Sequence, residues 1–228
     1  MQGKLSFVSV LAVVMMLSAA CTVASSVPVG EAPAAAEMPA AEAPAAAPGA
    51  TTFVIDAERS TVRFTLDEEL GGQPKTVVGE TNAVAGSVSV ALDDYSTTTI
   101  APIQVDARTF VTDSNMRNGT IRRFILQSDQ DQYQYIVYTP TAIEGLPGSA
   151  TVGAPFDLRV TGDLQIRTVT QPVTFDVTVT PVSESELQIS GKTVIARADF
   201  DLQIPSVPNV ANVEEEVELE LNLVAVAP

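Results

Sequence analysis

Along residues 156–166 apolar and polar side chains alternate without a break: Phe156, Leu158, Val160, Gly162, Leu164 and Ile166 against Asp157, Arg159, Thr161, Asp163 and Gln165. A period of two puts one set on each face of an extended chain, so the stretch reads as a β-strand with one dry and one wet face. The same period runs through Val173, Phe175, Val177 and Val179, and through Val88, Val90 and Leu92. It recurs in Val217, Leu219, Leu221 and Leu223, set against Glu216, Glu218, Glu220 and Asn222. Strands also fit at 52–56, 61–66, 75–83, 100–106, 133–143 and 186–197, with turn signals at Gly71-Gly72, Asp93-Asp94 and Pro147-Gly148. Only residues 113–127, DSNMRNGTIRRFILQ, break the pattern. They read as a capped entry into a short irregular helix with Met116, Ile121, Phe124 and Ile125 on its buried side. Eight or more one-sided strands leave edges that must be covered or abolished, and closure does this most economically. The expected fold is therefore all-β, an antiparallel barrel of about eight strands with one short helical excursion. A barrel of that size is either filled by its own side chains or holds one small ligand.

The segment before the strands has a different composition. Lys4 precedes an apolar run from Leu5 to Leu17, and Ser18-Ala19-Ala20 lead to Cys21. This is the plan of a secretory signal over residues 1–20, too short for a comfortable membrane span. LSAAC resembles a lipobox, in which Cys21 becomes the acylated first residue of a lipoprotein. From Thr22 to about Ala50 the chain is Ala, Pro, Val, Ser and isolated Glu, as in EAPAAAEMPAAEAPAAAPGA. Such a stretch has no large apolar side chains for a core and too many prolines for a helix, so residues 21–51 are expected to form an extended, disordered tether. The folded domain is expected over 52–228, exported and held at a membrane facing the periplasm or cell surface.

Charge and composition then remove several classes of function. A net charge of −16, from 28 acidic and 12 basic residues, argues against nucleic acid, which needs clustered cations. The chain has no His, so the commonest general base and the commonest metal ligand are both missing. No G-x-S-x-G elbow is present, and no enzymatic activity is expected. The run Glu214–Glu220 reads as the wet face of a strand, and residues 128–132 lack the glycine and distal Glu of a calcium loop. Neither a metal nor a cofactor is expected.

Motifs along residues 53–225 resemble those of the YceI-like family. The opening pattern is Phe53, Ile55, Asp56, Ser60, Val62 and Phe64, and the paired glycines of the next hairpin are Gly79 and Gly86. Asp106, Thr109, Asn115, Arg117 and Asn118 lead into the helical segment, and Phe124 and Tyr133 follow them in the motif. The most specific stretch is Val160, Gly162, Leu164, Ile166, Arg167, Val169, Thr170, Pro172 and Val173, and Arg197, Asp199 and Phe200 follow later. Arg59, Asn118, Gln134, Thr168 and Asp201 depart from the family pattern. The resemblance implies an exported lipocalin-like barrel that binds polyisoprenoids or other long-chain amphiphiles.

On that reading Phe64, Val90, Val105, Phe156, Leu158, Val160, Phe175, Val177, Leu219 and Leu221 are candidates to line a lumen for an isoprenoid, quinone-like or fatty tail. An ordinary packed core would use the same residues. Arg117, Arg167 and Arg197 are candidates to meet a headgroup, against the alternative that they pair with Asp106, Asp113 or Asp199. The competing function is a solid-cored module that contacts another envelope protein through its acidic face. A contiguous lumen separates the two.

Overall fold

A computed structural model of the chain describes residues 45–227. The expected signal segment, Cys21 and the expected tether up to residue 44 lie outside the described residues. The strands are β1 (Thr51–Ile55), β2 (Thr61–Leu70), β3 (Gln73–Thr81), β4 (Val84–Ala85), β5 (Ser87–Ala91), β6 (Asp94–Ile100) and β7 (Ile103–Asp106). After a helical excursion come β8 (Tyr135–Glu144), β9 (Phe156–Ile166), β10 (Val169–Ser183), β11 (Glu186–Ala196), β12 (Val210–Ala211) and β13 (Glu216–Val226). The assigned pairings between strands are antiparallel.

These segments combine into the eight ribbons expected of a small barrel. β1 and β2 are one ribbon kinked at a 3-10 turn, where Asp56 caps Glu58 and the buried Ser60 hydroxyl accepts from the Val224 amide of β13. β3, β4 and β5 form a second, bent ribbon that pairs in turn with β2, β7 and β1. β6 and β7 make the third. From β7 the ladder runs through β8, β9, β10, β11 and β13 back to the first ribbon, so the sheet curls round on itself. Closure disposes of most edge hydrogen-bonding groups, which in an open sheet would invite another chain.

Local chemistry places the turns. Gly71 and Gly72 both have positive φ and join Leu70 to its partner Gln73 in a two-residue hairpin, a geometry that glycine adopts without strain. In β9 the odd and even positions alternate between exposed and buried as the sequence period requires, and β10 continues the alternation across the hairpin. Leu92 is a departure from the expected inward set. The β5–β6 turn falls at Leu92-Asp93, between paired Ala91 and Asp94, and Leu92 is left exposed at its tip.

The helical excursion also differs from expectation. α1 (Asn115–Thr120) is capped by Ser114 and runs into a π-helical turn at Ile121–Ile125. Ile121 is buried and Ile125 half-buried, but Met116 is 78% exposed and Phe124 60% exposed. The wider π turn changes the angular spacing of side chains, so a stripe laid out at one helical period does not stay on one face.

Candidate functional site

The interior of the barrel holds two apolar chambers. The larger, about 360 Å³, lies against α1, the β2–β3 end of the barrel and the segment 202–213. The smaller, about 80 Å³, lies beyond it among β5, β8, β9, β10 and β11. Phe64, Val105 and Leu219 line the larger chamber, and Val90, Phe156, Leu158, Val160 and Val177 the smaller. Phe175 and Leu221 face both. The ten positions chosen by alternation thus fall on two volumes in place of one lumen. Met116 lines the larger chamber while most of its surface meets solvent, which locates the chamber's mouth beside α1.

Glycines make room for rings on the chamber wall. Phe64 sits opposite Gly79 on the neighbouring strand, and a Cβ on Gly79 would lie 2.2 Å from the phenyl ring. The ring thus occupies the space a side chain would take, and it meets Phe110 edge-on at 5.3 Å. Gly162 does the same for Tyr138 on β8. The Tyr138 hydroxyl points at the Val160 and Val173 carbonyls at 2.8 and 3.1 Å, so the buried phenol has a hydrogen-bond acceptor. Burial, reinforced by Asp163, pushes this phenol well above its ordinary pKa, and it stays neutral.

Charge is confined to the chamber's rim, and it is paired. Arg117 donates to Glu68 at 2.7 Å and also to Asp113. Lys75 lies 2.7 Å from Asp113 and, with Arg117, holds that carboxyl below the usual range. Arg63 bridges Glu80 and Glu220 at 3.1 and 3.4 Å. Arg197 donates to the carbonyls of Leu202, Val213 and Glu214 and pairs with Glu215 at 3.1 Å, clasping both ends of segment 202–213, which walls the chamber. Among the described residues, every cation on this chamber's lining has a carboxylate partner. Glu68, 8% exposed, was not among the residues picked from the sequence; its neighbours in a run of Asp and Glu gave it no distinguishing mark.

Arg167, the third headgroup candidate, lies elsewhere. It occupies the β9–β10 hairpin turn at φ +55°, a conformation that disfavours branched or long residues. Its guanidinium donates to the Ile125 and Asp201 carbonyls at 3.0 Å each, and the Asp201 carboxylate lies 3.5 Å away. It ties the hairpin to the π turn and to the corner after β11, and does not line either chamber. Arg167→Ala is accordingly expected to lower unfolding free energy by about 1.5–3 kcal/mol, the range for hydrogen bonds to a charged donor, in urea titrations. Its affinity for any lumen ligand should stay within about twofold of the parent, because no lining atom changes.

Comparison with known proteins agrees with this architecture. A polyisoprenoid-binding domain from Saccharophagus degradans implicated in plant cell wall breakdown superposes with a TM-score of 0.62 at 16% identity, covering 78% of this chain and 99% of that one. BcnA from Burkholderia cenocepacia gives 0.57 at 21% identity, covering 75% of this chain and 99% of its own. None of the curated proteins matches the sequence. The YceI-like domain model matches residues 53–225, which takes in the barrel from β1 to β13, and the chain belongs to the YceI-like family.

Proposed function

We propose that this protein binds the tail of one amphiphile, isoprenoid, quinone-like or fatty, in its barrel and so sequesters or carries it through water. The observation that carries the reading is the apolar chamber of about 360 Å³ that reaches the surface beside Met116. Chambers of this size lie in the range of small-molecule sites, and burying aliphatic surface contributes about 25 cal/mol per Å² with no polar contact needed. The S. degradans relative, described as a polyisoprenoid-binding domain, supports the same class of ligand. The paired rim favours a neutral headgroup over a phosphate. Arg63, Arg117 and Arg197 are each already committed to carboxylates, and recruiting one to an anion would leave its partner carboxylate uncompensated. Acylated Cys21 and the Ala/Pro spacer complete the proposal, holding the barrel near a bilayer from which its ligand partitions.

Native mass spectrometry tests this on residues 21–228 carrying Cys21→Ser, purified without detergent and then extracted with solvent. A retained lipid mass released by the solvent is the expected result. An apo mass that persists after incubation with quinones and prenols sinks the reading. Leu219→Asp, which puts a carboxylate on the larger chamber's wall, should weaken binding by at least about 100-fold because a buried charge there has no partner. Binding by the parent should change little between low and high salt, whereas a complex formed through the acidic surface would weaken.

A further inference from the structure

The two chambers are neighbours but not one tunnel. Their linings have four side chains in common, Ile103, Tyr138, Phe175 and Leu221, and these form the partition between them. Its centre is an aromatic pair. Tyr138 and Phe175 meet edge to face with centroids 5.1 Å apart and planes inclined at 72°. The partition is fixed from behind: Gly162 leaves space for the Tyr138 ring, whose hydroxyl is directed at the Val160 and Val173 carbonyls. A ring packed on one edge by Phe175, seated over a glycine and anchored at its oxygen has little freedom to swing aside. Beyond it, the smaller chamber is walled by Leu158, Val177, Val179 and other apolar groups, and would accept more chain if the partition opened.

Resting on the tail-binding reading above, we infer that Tyr138 and Phe175 are a stop that sets the length of tail the barrel encloses. Taking roughly 30 Å³ per chain carbon, about a water's share of liquid volume, the larger chamber holds about a dozen carbons and the smaller about three. Each methylene that becomes buried contributes favourably, so a longer tail gains affinity only while it has chamber to enter. A tail entering from the mouth beside Met116 with its head at the rim gains until its end meets the Tyr138 ring. Further isoprene units then stay in water or push the head outward, and affinity levels off. Tyr138 and Phe175 are thus specificity-determining residues, acting by contact with the tail's end.

The test is the ratio of dissociation constants for farnesol and geranylgeraniol, which differ by one isoprene unit, measured on residues 21–228 with Cys21→Ser. The parent should bind the two within about threefold of each other. Tyr138→Ala joins the chambers and also vacates the ring's own volume, so the enlarged space exceeds what farnesol fills and should raise the preference for geranylgeraniol by at least about tenfold, since the longer tail buries several more methylenes. Adding Val177→Phe, which fills the smaller chamber from its far wall, should return the ratio to that of the parent. If Tyr138→Ala fails to fold by circular dichroism, Phe175→Leu thins the partition from the other side and should shift the ratio in the same direction. A parent that already prefers geranylgeraniol by tenfold or more overturns the stop, as does a folded partition variant whose ratio is unchanged. Failure of both prenols to bind parent and variants alike is a different result, and it removes the tail-binding reading itself.

Discussion

Arg117→Met is expected to destabilise the barrel by about 3 kcal/mol at neutral pH, the lower end of the range for stranding one partner of a buried ion pair. Glu68 is 8% exposed and lies on the wall of the larger chamber, with Arg117 2.7 Å away as its one cationic partner among the described residues. Removing the guanidinium leaves a carboxylate facing apolar side chains on one side and Asp113 on the other, since Arg117 holds both acids. Lys75 still compensates Asp113, so the loss concentrates at Glu68. The double variant Glu68→Leu with Arg117→Met has no charge left to strand and should recover most of the loss, because a buried pair repays little more than its own desolvation. Urea titrations of the four proteins form a double-mutant cycle, and an interaction of about 2 kcal/mol or more is expected. Additive losses would mean that Glu68 reaches water when alone and that the pair does not shape the rim. In that case Arg117 would be free to meet an anionic headgroup, so the cycle also bears on which ligands the mouth admits.

The strands were readable because their physics is local. In β9, β10 and β13 each residue's face follows from its parity, and nothing distant is needed to predict that Leu158, Phe175 or Leu223 points inward. Parity does not say how many volumes the inward side chains enclose. Tyr138 carries the division of the interior, yet as one tyrosine in a strand containing Tyr135, Thr139 and Pro140 it has no local mark, and its role depends on Gly162 and Phe175, distant in sequence. The same limit explains Arg197, whose use as a clasp needs the course of residues 202–213, a stretch with neither helical nor strand period. Phe124 departs for a local reason, the π turn, which composition does not announce, whereas Met116, ahead of that turn, borders the chamber at its mouth and so stays largely exposed. Leu92 was misplaced by a single residue of turn position, the kind of shift that moves a side chain from core to solvent.

Glycine in a strand interior ordinarily weakens it, so replacement by alanine should help on propensity alone. At Gly162 the opposite is expected. A Cβ there would lie 2.6 Å from the Thr139 carbonyl oxygen, 2.9 Å from the Pro140 Cα and 2.7 Å from the Tyr138 ring. Two of these are backbone atoms of β8, which is itself held between β7 and β9. The third belongs to a ring whose hydroxyl is directed at Val160 and Val173. None of these atoms can withdraw without moving a strand or breaking the Tyr138 anchor, so Gly162→Ala should cost about 3 kcal/mol, the upper end of the usual penalty for overpacking. Gly79→Ala provides the contrast. Its Cβ would come within 2.2 Å of Phe64, closer than any contact at Gly162, but every near atom is in the ring of a side chain that borders the larger chamber. That ring has empty space to turn into. Gly79→Ala should therefore cost only about 1 kcal/mol and be felt mainly as reduced room for a tail. Thermal and urea unfolding of the two variants decide the point. Equal losses would mean that the Phe64 ring is held as firmly as the β8 backbone, and the larger chamber would then have rigid walls on that side as well as at its partition.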